Sequence, residues 1–223
     1  MKHQAAIFDI DGTLLDSVDL HAEAWRQIFL RHGKDVPFEK IRAQIGKGGD
    51  QLLPVFFSKE ELKDFGDKMN TERGKLFKKE FMPQVKPFPG VRALFERLRK
   101  DGFKIALASS AKRDELEHYA KSLEIEDLID AGTSTDDAEK SKPEPDIFEA
   151  AVRRLSGVPT GTCLAVGDTP YDAEAAGKAG IKTIGVLCGG FPEADLRGAG
   201  AVAIFQDPED LLRRYEESPF AER

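Results

Sequence analysis

Residues 5–14 read AAIFDIDGTL, and this stretch decides the predicted fold. A short apolar run ends in two carboxylates, Asp9 and Asp11, and Gly12 and Thr13 follow at once. An apolar run of this length before a turn signal favours a buried β-strand. Residues two apart on an extended backbone point the same way, so both carboxylates are expected to face one small space. Because two such acids repel each other unless a cation or a proton separates them, the stretch indicates a functional site, with an ordinary Asp-Gly turn as the alternative.

Composition excludes several classes of protein. The 223 residues suit one large domain or a domain with an insertion. With 33 basic and 40 acidic residues the net charge is −7, and the basic residues are scattered among acidic ones, so no nucleic-acid partner is expected. No stretch approaches the roughly 18 apolar residues of a membrane span, and no signal-peptide pattern is seen. We therefore expect a cytoplasmic monomer without a membrane partner, in which Cys163 and Cys188 are reduced core residues.

The chain after residue 14 changes from a strand pattern to a helical one. Residues 16–32 place apolar side chains at helical spacing, and Gly33 supplies a stop. Charged helical stretches continue to about Phe81, and no convincing strand is predicted between residues 16 and 82. Prolines and a glycine at 83–90 then punctuate the chain, as expected where it returns to another domain.

From residue 91 onward, predicted strands alternate with predicted helices. Helices are predicted near 91–102, 111–123, 146–155 and 169–179, and strands at 103–108, 128–132, 163–166, 181–187 and 201–205. This alternation is typical of an α/β fold with a parallel sheet. Such sheets bind ligands beyond the carboxyl ends of their strands, where the strand order reverses, and Asp9 is placed at one such end.

Further polar groups follow these predicted strands. Ser109 and Ser110 come after the strand at 103–108, Asp168 comes after the strand at 163–166, and Lys142 precedes a helix start. Each has an ordinary explanation, since Ser110 can cap a helix, residues 169–172 resemble a capping box that includes Asp172, and Lys142 can be solvated. Taken together, paired carboxylates, a hydroxyl, a lysine and further acids suit phosphoryl transfer through an aspartyl-phosphate.

Four motifs occur in an order that resembles one known family. They are DIDGT at 9–13, the hydroxyl of Ser109, SKPEPDIF at 141–148 and GDTPYDAEAAGKAG at 167–180. The chain resembles the haloacid dehalogenase superfamily, close to its phosphoglycolate phosphatase and β-phosphoglucomutase-like branch. The resemblance implies a Rossmann-like, doubly wound parallel sheet formed by residues 1–15 and 83–223. It also implies an inserted α-helical cap at 16–82, with hinges near 15–16 and 82–85, that closes over the site and excludes water.

The resemblance also implies roles for the catalytic residues. Asp9 would be the nucleophile that becomes phosphorylated. Asp11 would protonate the leaving-group oxygen and then deprotonate the water that splits the aspartyl-phosphate. Ser109 would donate a hydrogen bond to the phosphoryl group, and Lys142 would balance the charge of Asp9 and the phosphate.

A magnesium site and a substrate site are implied in the same way. Mg²⁺ would be held by the Asp9 carboxylate, the backbone carbonyl of Asp11 and Asp168, while Asp172 would act through water, from outside the ligand set, or only as a helix cap. The substrate-binding set comprises Thr13 and Ser110 of the core, and Lys47 and His21 of the cap. A loop lysine and a surface histidine are the alternatives for the last two.

The expected function is Mg²⁺-dependent hydrolysis of a small phosphate ester, of the sugar phosphate or phosphoglycolate type. A phosphomutase is the near alternative, but the β-phosphoglucomutase pattern has an arginine in the cap loop, and no arginine lies between Arg42 and Arg73. The Ser109-Ser110 pair is more similar to sugar-phosphate members than to many phosphoglycolate phosphatases. Asp11 disfavours a dehalogenase, because a halide leaving group needs no acid. A receiver-type signalling domain shares the acids and the lysine but lacks a helical insertion.

Overall fold

A parallel sheet forms the centre of this protein, whose computed structural model describes residues 2–222. The strands are β1 (Ala5–Phe8), β2 (Leu15–Asp16), β3 (Lys86–Pro87), β4 (Lys104–Ala108), β5 (Ala131–Thr133), β6 (Cys163–Gly167), β7 (Lys182–Val186) and β8 (Ala201–Phe205). Within the described residues, six of them form one sheet in the order β5-β4-β1-β6-β7-β8, and every pairing in it is parallel.

The order of the strands places the end of β1 where ligands bind in such folds. From β1 the chain forms β4 and β5 on one side and then returns to form β6, β7 and β8 on the other. In register, Ile7 of β1 lies opposite Ala106 of β4 and Ala165 of β6. The loops that follow β4 and β6 therefore diverge on either side of the end of β1, which leaves a crevice there.

Helices cover both faces of the sheet, and the alternation of β1 explains why. The α-helices are α1 (Val18–Arg31), α2 (Phe38–Arg42), α3 (Gly49–Leu52), α4 (Lys59–Leu76), α5 (Val91–Lys100), α6 (Arg113–Ser122), α7 (Asp146–Arg154), α8 (Pro170–Lys178), α9 (Glu193–Gly198) and α10 (Pro208–Arg213). Ala5 and Ile7 join a core cluster with Phe148 of α7, whereas Ala6 and Phe8 join a second cluster that contains residues of α5 and α10. Because successive strand residues point to opposite faces, an all-apolar strand such as β1 needs a helical layer on each side.

The cap consists of the helices between β2 and β3. It includes α1 to α4 and shorter turns at Leu53–Val55, Phe77–Phe81 and Met82–Gln84. Trp25 and Phe29 of α1 are buried at helical spacing, and Phe29 packs against the ring of Phe57 with the centroids 5.0 Å apart. The Ser58 side chain and Glu61 form a capping box that begins α4. The antiparallel pair β2–β3 lies where the chain leaves and re-enters the core.

Most predicted elements are confirmed, with shifts at their ends. The strand expected at 128–132 begins only at Ala131, because the backbone and carboxylate of Asp130 both bond to Ile105 and hold the chain in a turn before the ladder starts. The short helices α9 and α10 were not predicted. Between residues 2 and 222, no helix combines the length and the hydrophobicity that a membrane span requires.

Candidate active site

Asp9 lies directly beyond the end of β1 and is paired with a buried lysine. Its backbone N–H continues the ladder to the carbonyl of Val166 at 2.9 Å. Lys142 is fully buried, and its ammonium donates to Asp9 Oδ1 and, at 2.9 Å, to the carbonyl of Ala108. The same ammonium lies 2.7 Å from Asp172 Oδ1. Lys142 is therefore not a solvated surface residue, because its charge is balanced by two buried carboxylates.

Glycine at position 12 lets the chain turn directly beneath the acids. Gly12 has φ +87°, which side chains rarely adopt, and an added Cβ would lie 2.3 Å from Asp168 Oδ2. Its neighbour Thr13 is fully buried, and the Thr13 hydroxyl lies 2.9 Å from Asp168 Oδ1 and 3.2 Å from Asp9 Oδ2. The Thr13 hydroxyl thus bridges the carboxylates of Asp9 and Asp168. Its predicted role in substrate binding stays a prediction.

Three carboxylates are close enough to hold one cation. Asp9, Asp168 and Asp172 each offer an oxygen, and these oxygens lie within 4.8 Å of one another. The Oδ2 atom of Asp168 is buried and has no hydrogen-bond partner among residues 2–222. Such an unsatisfied buried oxygen is costly unless a cation or a proton binds it. An oxygen-only set of this kind fits Mg²⁺, which prefers carboxylate ligands.

Charge in this group is shared unevenly. Burial raises the pKa of Asp9 to about 7, although the Lys142 ammonium acts in the opposite direction. Burial, together with the charges of Asp172 and Asp9, raises the pKa of Asp168 well above its usual range. Burial opposes the charged form of Lys142, but Asp172 and Asp9 outweigh it and raise the lysine pKa. The site therefore has one cation for three acids, and a divalent cation would favour their ionised forms.

Asp172 has a structural role as well as its contact with Lys142. Its Oδ2 accepts hydrogen bonds from the backbone N–H of Thr169 at 3.1 Å and from the Thr169 hydroxyl at 2.7 Å. The capping box predicted at the start of α8 is therefore confirmed. The second oxygen of Asp172 faces Lys142, so capping is not its only contact.

Asp11 points away from the three clustered carboxylates and toward the cap. Its Oδ1 accepts a hydrogen bond from the Ser17 hydroxyl at 2.7 Å and lies 2.8 Å from His21 Nε2. Burial alone would raise the pKa of Asp11, but His21 and Ser17 outweigh it and hold that pKa at about 2. The two acids of the DIDGT motif thus have different environments, one with a lysine and the other with a histidine.

His21 is buried at the junction of cap and core, so the alternative of a surface histidine is wrong. Its ring stacks on Phe77 with the centroids 3.9 Å apart, and its Nδ1 contacts the guanidinium of Arg73. Sequence reasoning missed Arg73, which also lies over the ring of Trp25 at 5.6 Å. The available signal was the spacing of Arg73 and Phe77, which puts a charged and an apolar residue on one face of a helix.

A cavity of about 340 Å³ lies between the cap and the end of the sheet. Its lining includes Asp9 and Asp11 at the base, the cap loop at 45–50, and Ser110. Ser109 is the residue predicted to donate a hydrogen bond to the phosphoryl group. It is fully buried, and its Oγ accepts a hydrogen bond from the N–H of Ala111 at 3.0 Å. Ser110 therefore reaches the cavity, whereas Ser109 lies behind it; both roles stay predictions.

Lys47 also lines the cavity, but its ammonium already has partners. It donates to Gln44 Oε1 at 2.6 Å and lies 4.5 Å from the centre of the Tyr171 ring. Burial lowers the pKa of Lys47. The prediction that Lys47 contacts the leaving group therefore rests on its position, and its charge is partly compensated by these neighbours.

Known proteins are similar to this chain in sequence and in fold. The family model of haloacid dehalogenase-like hydrolases matches residues 6–186. A phosphorylated carbohydrates phosphatase of Thermotoga maritima is 31% identical over 215 residues, which cover 96% of this chain and 99% of that protein. A phosphoglycolate phosphatase of Nitrosospira multiformis is 30% identical over 182 residues, which cover 79% of this chain and 80% of that protein. The crystal structure of a hydrolase from Pseudomonas syringae has a TM-score of 0.84, is 30% identical, and covers 96% of this chain and 98% of that one.

Proposed function

This chain belongs to the haloacid dehalogenase-like hydrolases and is a phosphatase of small phosphorylated metabolites, and we propose that it works through a phosphorylated Asp9. An Asp9 oxygen attacks phosphorus, the bond from phosphorus to the leaving-group oxygen breaks, and an aspartyl-phosphate forms. Water then attacks that intermediate, which releases inorganic phosphate and restores Asp9. The burial of Asp9 beside Lys142, at the base of the cavity, is the observation that carries this proposal.

Asp11 and His21 supply the proton transfers in this proposal. The leaving-group oxygen takes a proton from Asp11, and Asp11 later accepts a proton from the attacking water. The pKa of Asp11 is held at about 2, so its carboxylate rests ionised. One proton at the Asp11–His21 contact passes through Asp11 to the leaving group, and the proton that Asp11 takes from the attacking water replaces it. The pair thus holds the proton that the leaving group needs.

We assign the metal site to Asp9, Asp168 and the backbone carbonyl of Asp11, with Asp172 close by. When bound, Mg²⁺ would offset the repulsion between the anionic phosphate and the Asp9 carboxylate. Lys142 balances the remaining charge of Asp9, and Thr13 holds Asp9 and Asp168 in their relative positions. Ser109 or Ser110 would donate to the phosphoryl oxygens.

The proposed core consists of residues 1–15 and 83–223, and the proposed cap of residues 16–82. The cap would close over a substrate bound in the cavity. The names of the relatives favour a sugar phosphate or phosphoglycolate as substrate. A phosphomutase is less favoured, because the β-phosphoglucomutase pattern has an arginine in the cap loop, and the corresponding loop at 46–50 of this chain has none. A cytoplasmic, monomeric protein without a nucleic-acid partner remains the prediction from sequence.

The proposal is tested by measuring phosphate release from p-nitrophenyl phosphate with and without Mg²⁺. Wild-type protein should be active with Mg²⁺ and inactive after chelation, and beryllofluoride should bind Asp9. Asp9→Asn should lose activity by about three orders of magnitude or more, since it removes the nucleophile. Asp64→Asn, an exposed acid of α4, is the matched control. Equal activity in wild type and Asp9→Asn would contradict the mechanism.

A further inference from the structure

We infer that Glu115 selects the leaving group: its carboxylate accepts hydrogen bonds from an uncharged polyhydroxy group, as in a sugar phosphate, and disfavours leaving groups that carry a carboxylate or a second phosphate. This inference rests on the proposed phosphatase function. Glu115 lies on α6 of the core and lines the cavity above the catalytic acids. The four motifs that indicate the family do not include it.

The carboxylate of Glu115 is buried without a full set of hydrogen bonds. The side chain is 2% exposed, and its salt-bridge partner Lys78 lies 3.7 Å from Oε1, which is longer than a hydrogen bond. The Lys78 ammonium donates instead to Asp114 at 2.5 Å. A carboxylate has two oxygens that together accept about four hydrogen bonds, and the Glu115 side chain lines the cavity. Hydroxyl groups of a ligand in the cavity would supply such hydrogen bonds, whereas an anion would add repulsion.

Glu115 also shares the cavity with the candidate acid–base residue. Asp11 and Glu115 both line this space of about 340 Å³. A leaving group that is protonated by Asp11 occupies the cavity, so its substituents come within reach of Glu115.

The remaining walls of the cavity suit a sugar better than a small acid. Trp25 supplies an aromatic wall, while the amide of Asn70 and the guanidinium of Arg73 add planar polar groups. Arg73 is already held by His21 and Phe77, and Lys47 by Gln44 and Tyr171. Two of the three cations among the described lining residues thus have partners, and the third, Lys112, lies at the exposed N-terminal end of α6. The volume of about 340 Å³ is at the lower end for ligand sites, which suits a single small metabolite.

The test compares kcat/KM for three kinds of substrate with Mg²⁺: hexose and polyol phosphates, phosphoglycolate, and pyrophosphate. In the wild type we expect the best polyhydroxy ester to exceed both anionic substrates by about tenfold or more. Glu115→Gln keeps the shape of the side chain and removes its charge. In this variant we expect the ratio of sugar phosphate to phosphoglycolate to fall by about tenfold, because like-charge repulsion disappears and a strong acceptor is weakened.

Glu117→Gln is the matched control, since Glu117 is an exposed residue of the same helix, and its ratio should stay within about twofold of wild type. A wild type that prefers phosphoglycolate or pyrophosphate overturns the inference. So does a folded Glu115→Gln protein with an unchanged ratio. If Glu115→Gln does not fold, the wild-type preference alone decides. A wild type that hydrolyses no phosphate ester overturns the proposed function together with this inference. An active wild type that prefers an anionic substrate overturns only this inference.

Discussion

The Nε2 atom of His21 lies 2.8 Å from Oδ1 of Asp11, so a residue of the first cap helix directly contacts the candidate acid–base residue of the core. The imidazole is fixed on its other side by the Phe77 ring and by Arg73. Cap and core therefore share one hydrogen-bonded unit at the base of the cavity. Any movement of the cap away from the core would break the contact between His21 and Asp11, so this contact exists only while the cap lies against the core.

Replacing His21 with asparagine should weaken proton transfer. Among the groups that lower the pKa of Asp11, His21 has the largest effect, so His21→Asn should raise that pKa toward its ordinary value. Asp11 must be ionised in the step that hydrolyses the aspartyl-phosphate, so where that step limits the rate the acidic limb of the kcat profile should move to higher pH, and kcat should fall by about tenfold to a hundredfold. The measurement is the dependence of kcat on pH. His118→Asn changes an exposed histidine and should leave the profile unmoved; an unshifted acidic limb in His21→Asn would count against the pairing.

The fold was largely predictable because its local signals agree with one another. Most strands of the large sheet are short apolar runs bounded by turn residues, with β5 as the exception, and β8 matches the predicted 201–205. Asp9, Asp168 and Lys142 were also predicted as a group, because the carboxyl ends of parallel strands converge. The structure places these three side chains together. Their chemical roles stay predictions.

What the sequence did not reveal depends on contacts between distant residues. Arg73 lies in a helix rich in lysine and glutamate and reads as a solvated residue, yet it contacts His21, 52 positions away. Which of two adjacent serines reaches the cavity depends on the turn after β4, where Ser109 Oγ accepts the N–H of Ala111. The spacing of Arg73 and Phe77 is a local signal for a shared helix face, but it does not identify His21 as the partner, because the relative placement of cap and core decides such pairings.

Removing a carboxylate from the candidate metal site should stabilise the metal-free protein. The pKa of Asp168 is raised on folding, so its ionised form disfavours the folded state, and this cost grows as the pH rises above the unfolded pKa. Without metal, Asp168→Asn should raise Tm more at about pH 8 than at about pH 5, by about 2–4 °C for each kcal/mol of relieved repulsion.

Calorimetry with EDTA and with Mg²⁺ measures the Tm of the metal-free protein and the increase in Tm that the metal causes. In the wild type, Mg²⁺ should raise Tm, because a ligand that binds only the folded state stabilises it. In Asp168→Asn that increase should be much smaller. A variant that Mg²⁺ stabilises as strongly as the wild type would remove Asp168 from the metal site.

Loss of the buried lysine should have the opposite effect on stability. Lys142→Met would leave Asp9 and Asp172 buried without their cation, which costs about 3–5 kcal/mol of unfolding free energy. Because that loss raises the pKa of Asp9 further, acidification should restore part of the stability. Urea unfolding at about pH 5 and about pH 7.5 measures it. Lys140→Met, an exposed lysine two positions earlier, should change the free energy by less than about 0.5 kcal/mol; a similar loss in both variants would contradict the pairing.

The cap loop is expected to act on substrate preference. Lys47 lines the cavity and is anchored by Gln44 and Tyr171, so Lys47→Ala should alter the loop that faces the leaving group. The order of kcat/KM among natural phosphate esters should change by about threefold to tenfold, with a smaller change for p-nitrophenyl phosphate. Lys40→Ala, an exposed lysine of α2, is the control. An equal change for every ester would mean that the loop does not select the substrate.

A tyrosine of the core is hydrogen-bonded to the cap. The hydroxyl of Tyr171 donates to the backbone carbonyl of Ala43 at 2.6 Å, close to the contact of Arg42 with the carbonyl of Gly189 at 2.9 Å. Both bonds join the end of α2 to the core, one at the first turn of α8 and the other at the loop that follows β7. Tyr171→Phe removes one of these bonds and keeps the ring under Lys47. One such bond contributes about 0.5–1.5 kcal/mol, so the open form should gain about twofold to tenfold in population relative to the closed form.

Where the closed form is the one that binds substrate, KM should rise with that change, while kcat for bound substrate should stay nearly constant. Steady-state kinetics separates the two quantities, and hydrogen exchange of residues 43–50 reports the opening directly. The loop amides should exchange faster in Tyr171→Phe than in wild type. A fall in kcat at constant KM would instead assign Tyr171 to the chemical step, and unchanged exchange would show that this hydrogen bond does not hold the cap.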